Sequence, residues 1–145
     1  MFMKEISIVI PILNESENIK LLVPEISKNI KILKIQKHEI ILIDDNSKDQ
    51  IQTVVKNLKK KFKSLKLFIR RKKDKDLSKS CILGFKKSKY KNILVMDGDF
   101  QHHPKYLVNL IKNFNKFSCD IVVGARDLTS TKKTKLSIFR LGSSL

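Results

Sequence analysis

The sequence predicts an α/β fold in which a mostly parallel sheet is covered by helices on both faces. Short apolar runs rich in β-branched residues alternate along the chain with longer segments of helical spacing. The short runs are apolar almost without interruption, which is typical of strands buried on both faces. With 145 residues, of which 41% are hydrophobic, the chain can form one domain with a substantial core.

Each element of this fold can be placed from the pattern. Strands are expected over residues 5–10, 39–44, 65–70, 92–97 and 120–124. Helices are expected over residues 15–33, 50–62, 77–89 and 105–117. Asn14 and Glu17 match a capping box at the start of the first helix, and Pro24 is expected to kink or split that helix. Pro104 stands where proline is favoured, at the opening of the fourth helix.

Charge and cysteine content restrict the possible partners. A net charge of +17 is typical of proteins that bind nucleic acid or anionic membranes, although genome composition explains a lysine-rich chain equally well. The lysines are scattered and no nucleic-acid-binding motif accompanies them, so we expect no nucleic acid partner. Cys81 and Cys119 lie far apart and lack metal-type spacing, so we expect neither a disulfide framework nor a zinc site, which fits a reducing cytosol. We expect no signal peptide, because the first strand begins within a few residues, and no apolar run approaches the roughly 20 residues that span a bilayer.

Polar residues follow the expected strands where ligands of parallel sheets bind, beyond the carboxyl ends. Residues 11–15 follow the first strand, Asp44 and Asp45 end the second, and residues 97–99 (Asp-Gly-Asp) follow the fourth. Carboxylates from separate strands repel one another at a shared edge unless a cation or a hydrogen-bonding ligand lies among them. The pattern therefore predicts a binding site.

Asp97 and Asp99 are the candidate metal ligands. An Asp-x-Asp motif also closes ordinary turns, but its position after a strand and the second carboxylate pair favour a ligand site. Mg²⁺ or Mn²⁺ needs only one or two carboxylates when a diphosphate completes its coordination, and Gln101 can add a neutral oxygen. His102 and His103 suit a hard cation less, because it prefers oxygen. This chemistry is typical of sugar-nucleotide binding.

The remaining candidates keep two interpretations each. Asp45 is expected to accept hydrogen bonds from a base or ribose while Asp44 supports the loop, although a turn at the strand end would also explain this pair. Glu15 is either a ligand or a first-turn acid favoured by the helix dipole. Arg126 follows the last strand and is expected to meet an anionic ligand or to form a structural salt bridge.

The end of the chain, residues 132–145, combines a basic run with apolar residues. Such a segment suits a membrane interface, and a solvated charge run followed by an ordinary core helix explains it almost as well. On a helix, Arg140 and Ser144 would share one face and could bind one phosphate.

Five ordered motifs resemble those of the family 2 glycosyltransferases with the GT-A (Rossmann-like) fold, in particular the dolichol-phosphate (polyprenyl-phosphate) mannosyltransferase branch. The motifs are residues 7–18 (SIVIPILNESEN), 43–47 (IDDNS), 77–85 (LSKSCILGF), 96–104 (MDGDFQHHP) and 123–126 (VGAR). Five motifs in family order are far more specific than any one of them. This sequence departs from the family pattern in three places, at Leu13 (often aromatic), Asp76 (often Gly) and Gly98 (often Ala).

The resemblance implies roles for individual residues. The nucleotide would be lined by Pro11, Leu13, Glu15, Ile43 and Asp45. The sugar diphosphate would meet Asp97, Gly98 and Asp99, with Gln101 joining the two aspartates at Mg²⁺ or Mn²⁺. The lipid phosphate would be bound by Arg126, Arg140 and Ser144. Asp99 and Arg126 would be the catalytic residues.

The resemblance also implies an activity. We expect an inverting transferase that moves a hexose, mannose or glucose, from GDP-mannose or a UDP-hexose to polyprenyl phosphate. Within the family, transfer to a hydroxyl acceptor remains an alternative. A non-catalytic truncated remnant is another, because members of this branch continue beyond the Arg…Ser pair. We expect residues 1–126 to form the nucleotide-sugar-binding core and residues 127–145 to begin an acceptor or membrane-interface region. The predicted location is the cytoplasm, peripheral to an anionic surface at the inner face of the membrane.

Overall fold

The computed structural model of the chain describes residues 3–117, 119–126 and 136–141. Strands and helices alternate through most of this part, as the sequence predicts. In chain order the elements are β1 (Glu5–Ile12), α1 (Ser16–Ile32), β2 (Lys37–Asp44), α2 (Ile51–Leu58), β3 (Leu65–Ile69), α3 (Leu77–Lys87), β4 (Ile93–Val95), α4 (Tyr106–Phe117), β5 (Ile121–Arg126) and β6 (Leu136–Leu141).

Four parallel strands form the main sheet in the order β3-β2-β1-β4. The central strands β1 and β2 are buried on both faces, which explains their continuous apolar runs. Buried residues of α1, α2 and α4 pack on one face, and α3 packs on the other through Leu83. The predicted α/β class with a mostly parallel sheet and helices on both faces is confirmed.

The first helix differs from the expectation at two points. Pro24 lies inside α1, which continues from Ser16 to Ile32 without being split. The capping box is wrong, because Glu15 is the N-cap residue and the Asn14 side chain instead accepts a hydrogen bond from Lys48 N at 2.8 Å. At the helix start, Ser16 N donates to Asp49 Oδ2 at 2.8 Å. The loop after β2 thus bonds to the Asn14 side chain and to the Ser16 amide at the helix start, in place of a local capping box.

A second, antiparallel sheet is formed by β5 and β6. Residues 136–141 are therefore a strand, and the helix considered for this segment is wrong there. These residues have no decisive pattern of their own, and their strand conformation depends on pairing with β5, where Ile138 lies opposite Gly124. Ser144 and the basic run at 132–135 lie outside the described residues. No helix within the described ranges is long and apolar enough to cross a membrane.

A buried carboxylate joins the strands at the edge of the sheet where they begin. Glu39 accepts hydrogen bonds from Ser7 Oγ at 2.6 Å, from Lys66 Nζ at 2.6 Å and from Lys89 N at 2.5 Å. Burial raises the pKa of Glu39, but the hydrogen bonds from Lys66, Ser7 and Lys89 and the charge of Lys66 outweigh it and hold this pKa below its ordinary value. Glu39 is thus a structural carboxylate, far from the edge where the strands end.

Candidate active site

The carboxyl ends of β1, β2 and β3 meet at one edge of the sheet. Ile12 pairs with Asp44, and Asp44 pairs with Ile69, so these three strands end side by side. The chain leaving β4 joins the same edge, because Met96 N donates to Val9 O at 3.1 Å. The segments that follow the four strands therefore lie next to one another, as expected for a ligand site in a parallel sheet.

The loops after β1 and β2 are bonded to each other. Asn14 N donates to Ser47 Oγ at 2.7 Å, and Asp44 Oδ1 accepts from Ser47 N at 3.0 Å and from Ser47 Oγ at 2.5 Å. Asn14 and Asn46 both adopt left-handed backbone conformations, with φ of 56° and 61°. Asp44 therefore supports the loop, as the sequence predicts, and the two loops form one rigid wall of the site.

Asp45 lies next to these loops in a buried ion pair. Its Oδ1 is 2.5 Å from Arg70 Nη1, and the two side chains are only 8% and 7% exposed. Asp45 Oδ2 accepts from Asp76 N at 2.7 Å, while Arg70 Nη1 also donates to Asp76 O at 3.2 Å. Lys75 Nζ donates to the carbonyl oxygens of Asp45 and Asn46. Asp45 is thus fixed by groups from β3 and from the start of α3.

Sequence reasoning missed Arg70 and Lys75 as members of the site. Both lie in a run of charged residues that resembles a solvated loop. The available signal was the position of Arg70 at the end of an apolar strand, beside another strand that ends in two aspartates. A buried cation at that place compensates one of those carboxylates.

Asp97 and Asp99 lie on the other side of the site and are more accessible. The Asp97 side chain is 49% exposed, and its Oδ2 is 3.4 Å from His102 Nδ1. Asp99 Oδ1 accepts from Gln101 N at 2.9 Å. A Cβ atom on Gly98 would stand 2.9 Å from Ile12 Cγ2, so this segment packs directly on the end of β1. The close approach explains why Gly, and not Ala, suits position 98 in this chain.

The donor set of this segment fits Mg²⁺ or Mn²⁺. Asp97 and Asp99 offer partly exposed carboxylate oxygens, and Gln101 offers an amide oxygen. Among the described residues there is no group of three or more His, Cys, Asp or Glu that could hold a metal ion. Two carboxylates suit a hard cation that takes its remaining oxygens from phosphate and water. A cation bound together with a diphosphate is therefore compatible with these residues.

The other predicted residues fall into two groups. Pro11 pairs with Ile43 across β1 and β2, Leu13 is 40% exposed beyond them, and Glu15 Oε2 accepts from Asn18 Nδ2 at 2.5 Å. These residues lie at the same edge as Asp45.

The structure separates the two predicted arginines along the hairpin. Arg126 ends β5, whereas Arg140 pairs with Val122, four positions away and roughly 13 Å along the strand. The backbone therefore does not bring Arg126 and Arg140 side by side. Ser144 lies outside the described residues.

An apolar cavity of about 640 Å³ extends from the Asp97 side of the site between β4, α4 and β5. Asp97 and His102 line it at one end, and apolar residues such as Leu107, Ile111 and Val123 line it further away. Asp45 is not among its lining residues. The cavity is consequently an extension of the accessible side of the site and not of the side fixed by Arg70.

The sequence of this chain is similar to those of known transferases. The glycosyl transferase family 2 profile matches residues 7–140. A dolichol-phosphate mannosyltransferase of Pyrococcus furiosus is 34% identical over 136 residues, which cover 94% of this chain and 37% of that protein. A dolichol-phosphate mannosyltransferase of Mycosarcoma maydis is 27% identical over 112 residues, covering 75% and 38%. The chain thus spans well under half the length of these two relatives.

A solved structure shares the fold. The mannosyltransferase PcManGT of Pyrobaculum calidifontis, solved in complex with GDP-Man and Mn²⁺, superposes with a TM-score of 0.66 at 14% identity, covering 86% of this chain and 36% of that one. At this level of identity the likeness establishes the GT-A architecture alone. It agrees with the predicted fold.

Proposed function

The chain belongs to glycosyl transferase family 2, and from this membership we propose that it transfers a hexose, with mannose first, from a nucleoside diphosphate sugar to polyprenyl phosphate. The observation that carries the proposal is that Asp45, after β2, and the Asp97–Asp99 pair, after β4, lie at the same edge of the sheet on either side of β1. In this arrangement the fixed carboxylate of Asp45 and the accessible carboxylates of Asp97 and Asp99 could bind the two ends of one ligand.

The nucleotide is proposed to bind on the side of β1 and β2. Asp45 Oδ1 and Oδ2 each accept one hydrogen bond, and since a carboxylate oxygen can accept two, a base or a ribose is proposed to donate the second. Leu13 offers an exposed apolar surface for the base, with Pro11 and Ile43 buried in the strands beneath it. Because Arg70 and Asp76 already fix Asp45, little ordering is needed when the nucleotide binds.

The sugar diphosphate is proposed to bind on the side of β4. Asp97 and Asp99 would hold Mg²⁺ or Mn²⁺ with Gln101, and the backbone of Gly98 between them is proposed to contact the diphosphate. When bound, such a cation neutralises the charge that grows on a departing diphosphate. The carboxylates are accessible, as required of groups that must bind a cation and a ligand together.

Transfer would proceed by direct displacement. An oxygen of the lipid phosphate forms a bond to the anomeric carbon, the bond from that carbon to the nucleoside diphosphate breaks, and the configuration inverts. The lipid phosphate is already ionised at neutral pH, so no strong general base is needed. Arg126, Arg140 and Ser144 are proposed to orient the incoming phosphate, with Arg126 and Asp99 nearest the reaction.

A binding screen followed by a transfer assay tests this function. Thermal unfolding is measured with GDP, UDP, GDP-mannose and UDP-glucose, each with and without Mn²⁺. We expect stabilisation by one nucleotide series, increased by Mn²⁺, followed by release of that nucleoside diphosphate when polyprenyl phosphate is added. No stabilisation by any nucleotide would contradict the proposal, and binding without transfer would reduce it to nucleotide-sugar binding.

A further inference from the structure

The loop between β3 and α3, residues 70–76 (Arg-Arg-Lys-Lys-Asp-Lys-Asp), is anchored at both ends. At its start, Arg70 forms the buried ion pair with Asp45. At its end, Lys75 binds the carbonyl oxygens of Asp45 and Asn46, and Asp76 caps α3 by accepting from Lys79 N at 3.0 Å. The two anchors converge on the same segment after β2. The β3–α3 loop is therefore held at both ends against the segment that follows β2.

The tip of this loop carries positive charge that is not paired with any carboxylate that the structure describes. Arg71, Lys72 and Lys73 are all exposed, and within the described parts of the chain their side chains make no hydrogen bond or ion pair. The loop carboxylates are already engaged, because Asp74 Oδ2 lies 2.6 Å from Lys79 Nζ. Three adjacent positive charges therefore face the solvent without a local partner.

We propose that Arg71, Lys72 and Lys73 form a docking surface for the anionic headgroups of a lipid bilayer. β3 ends beside Asp44, so this tip lies at the sheet edge that also carries Asp45 and the segment after β4. A bilayer at that edge would bring a phosphorylated lipid toward Asp97 and Asp99. The choice of partner rests on the proposed polyprenyl phosphate acceptor.

The composition of the loop favours a bilayer over nucleic acid. Single-stranded nucleic acid is bound by cations together with aromatic side chains on which bases stack, and residues 70–76 contain no aromatic residue. A nucleic acid along this edge would also cover the site. Headgroups need only closely spaced cations within a Debye length of the surface, which the anchored tip supplies.

Vesicle flotation with charge-neutralised variants tests the surface. The triple variant Arg71→Gln, Lys72→Gln, Lys73→Gln removes three charges and keeps both anchors. The matched control Lys59→Gln, Lys60→Gln, Lys63→Gln removes three exposed charges at the opposite edge, where β3 begins. A third variant, Lys132→Gln, Lys133→Gln, Lys135→Gln, examines the basic run near the end of the chain. Each is mixed with phosphatidylcholine vesicles with and without phosphatidylglycerol, at low and high salt.

We expect the loop variant to lose about a hundredfold in affinity for the anionic vesicles at low salt, with smaller losses in the other two. Equal losses in the loop variant and the control would assign binding to general charge and overturn the proposal. A loss confined to the third variant, or no binding by the unmodified chain, would also overturn it. Thermal shift with GDP and Mn²⁺ on the same samples separates the two proposals. Loop-dependent binding without any nucleotide effect supports the surface and contradicts the transfer function.

Discussion

The two sides of the site differ in how strongly their carboxylates are buried and hydrogen-bonded. On the side of β1, β2 and β3, Asp44 and Asp45 are buried and engaged by side chains and backbone amides. On the side of β4, Asp97 is half exposed and the oxygens of Asp97 and Asp99 remain accessible. The comparison shows one side that is already ordered, where we propose that the nucleotide binds, and one open side that the proposed cation and diphosphate would complete.

The largest expected effect follows from breaking the fixed side. Arg70→Met should lower the free energy of unfolding by about 3–5 kcal/mol, because it leaves Asp45 buried without its cation. Urea unfolding measures the loss. Adding Asp45→Asn to the same chain removes the unpaired charge and should recover part of it. A loss below about 1 kcal/mol, the range of exposed ion pairs, would mean that this pair does not organise the site.

Substitutions on the open side should change ligand binding and leave stability nearly unchanged. Asp97→Asn should leave the free energy of unfolding nearly unchanged but weaken Mn²⁺-dependent binding of GDP-mannose on the order of a hundredfold or more, since a charged oxygen ligand is lost. Titration calorimetry with and without Mn²⁺ measures this, and Asp99→Asn should behave alike. Glu17→Gln, which removes an exposed carboxylate near the start of α1, is the control. Unchanged Mn²⁺-dependent affinity in both aspartate variants rules out the metal assignment.

The affinity for GDP in the absence of Mn²⁺ tests whether Asp45 acts independently of the proposed metal site. Asp45→Asn should weaken GDP binding about tenfold in the absence of Mn²⁺, because the amide provides fewer acceptor sites for the base or ribose and leaves Arg70 without its buried anion. The ratio of affinities with and without Mn²⁺ should stay constant. If the variant loses only the Mn²⁺-dependent part, Asp45 belongs functionally to the open side.

Replacing Glu39, which lies outside both sides of the site, is expected to change the free energy of unfolding by a smaller amount, on the order of 1 kcal/mol. Its pKa is lowered in the folded state, so its contribution to stability is present above the ordinary pKa of 4.5 and is lost as the pH falls through the folded value. Glu39→Gln should therefore flatten the acid limb of a plot of unfolding free energy against pH. A limb as steep as that of the unmodified chain would assign acid sensitivity to other carboxylates.

What the sequence predicts depends on how local the cause is. The apolar runs of β1 and β2 reveal buried parallel strands without any partner being known, and the Asp97–Asp99 motif is read from three consecutive residues. The pairing of Asp45 with Arg70 joins residues 25 positions apart, and only the register of β2 and β3 brings them together. A charged run cannot reveal which of its members is buried.

The errors have the same origin. Asn14 and Glu17 have capping-box spacing, but the loop after β2 supplies Asp49 to the helix start and Lys48 N to the Asn14 side chain. Residues 136–141 have no decisive helical or strand pattern by themselves. Their strand conformation depends on β5, which provides the hydrogen-bonding partner. In both segments a distant part of the chain overrides the local preference.

The contact between Gly98 and Ile12 links two positions that belong to different sides of the site. A methyl group at position 98 would press on Ile12 Cγ2 at 2.9 Å, so alanine there requires that Ile12 move or become smaller. Substitutions at positions 12 and 98 should consequently be tolerated as a pair more readily than singly. In a divergent copy of this chain, the volume gained at one position would be expected to be lost at the other.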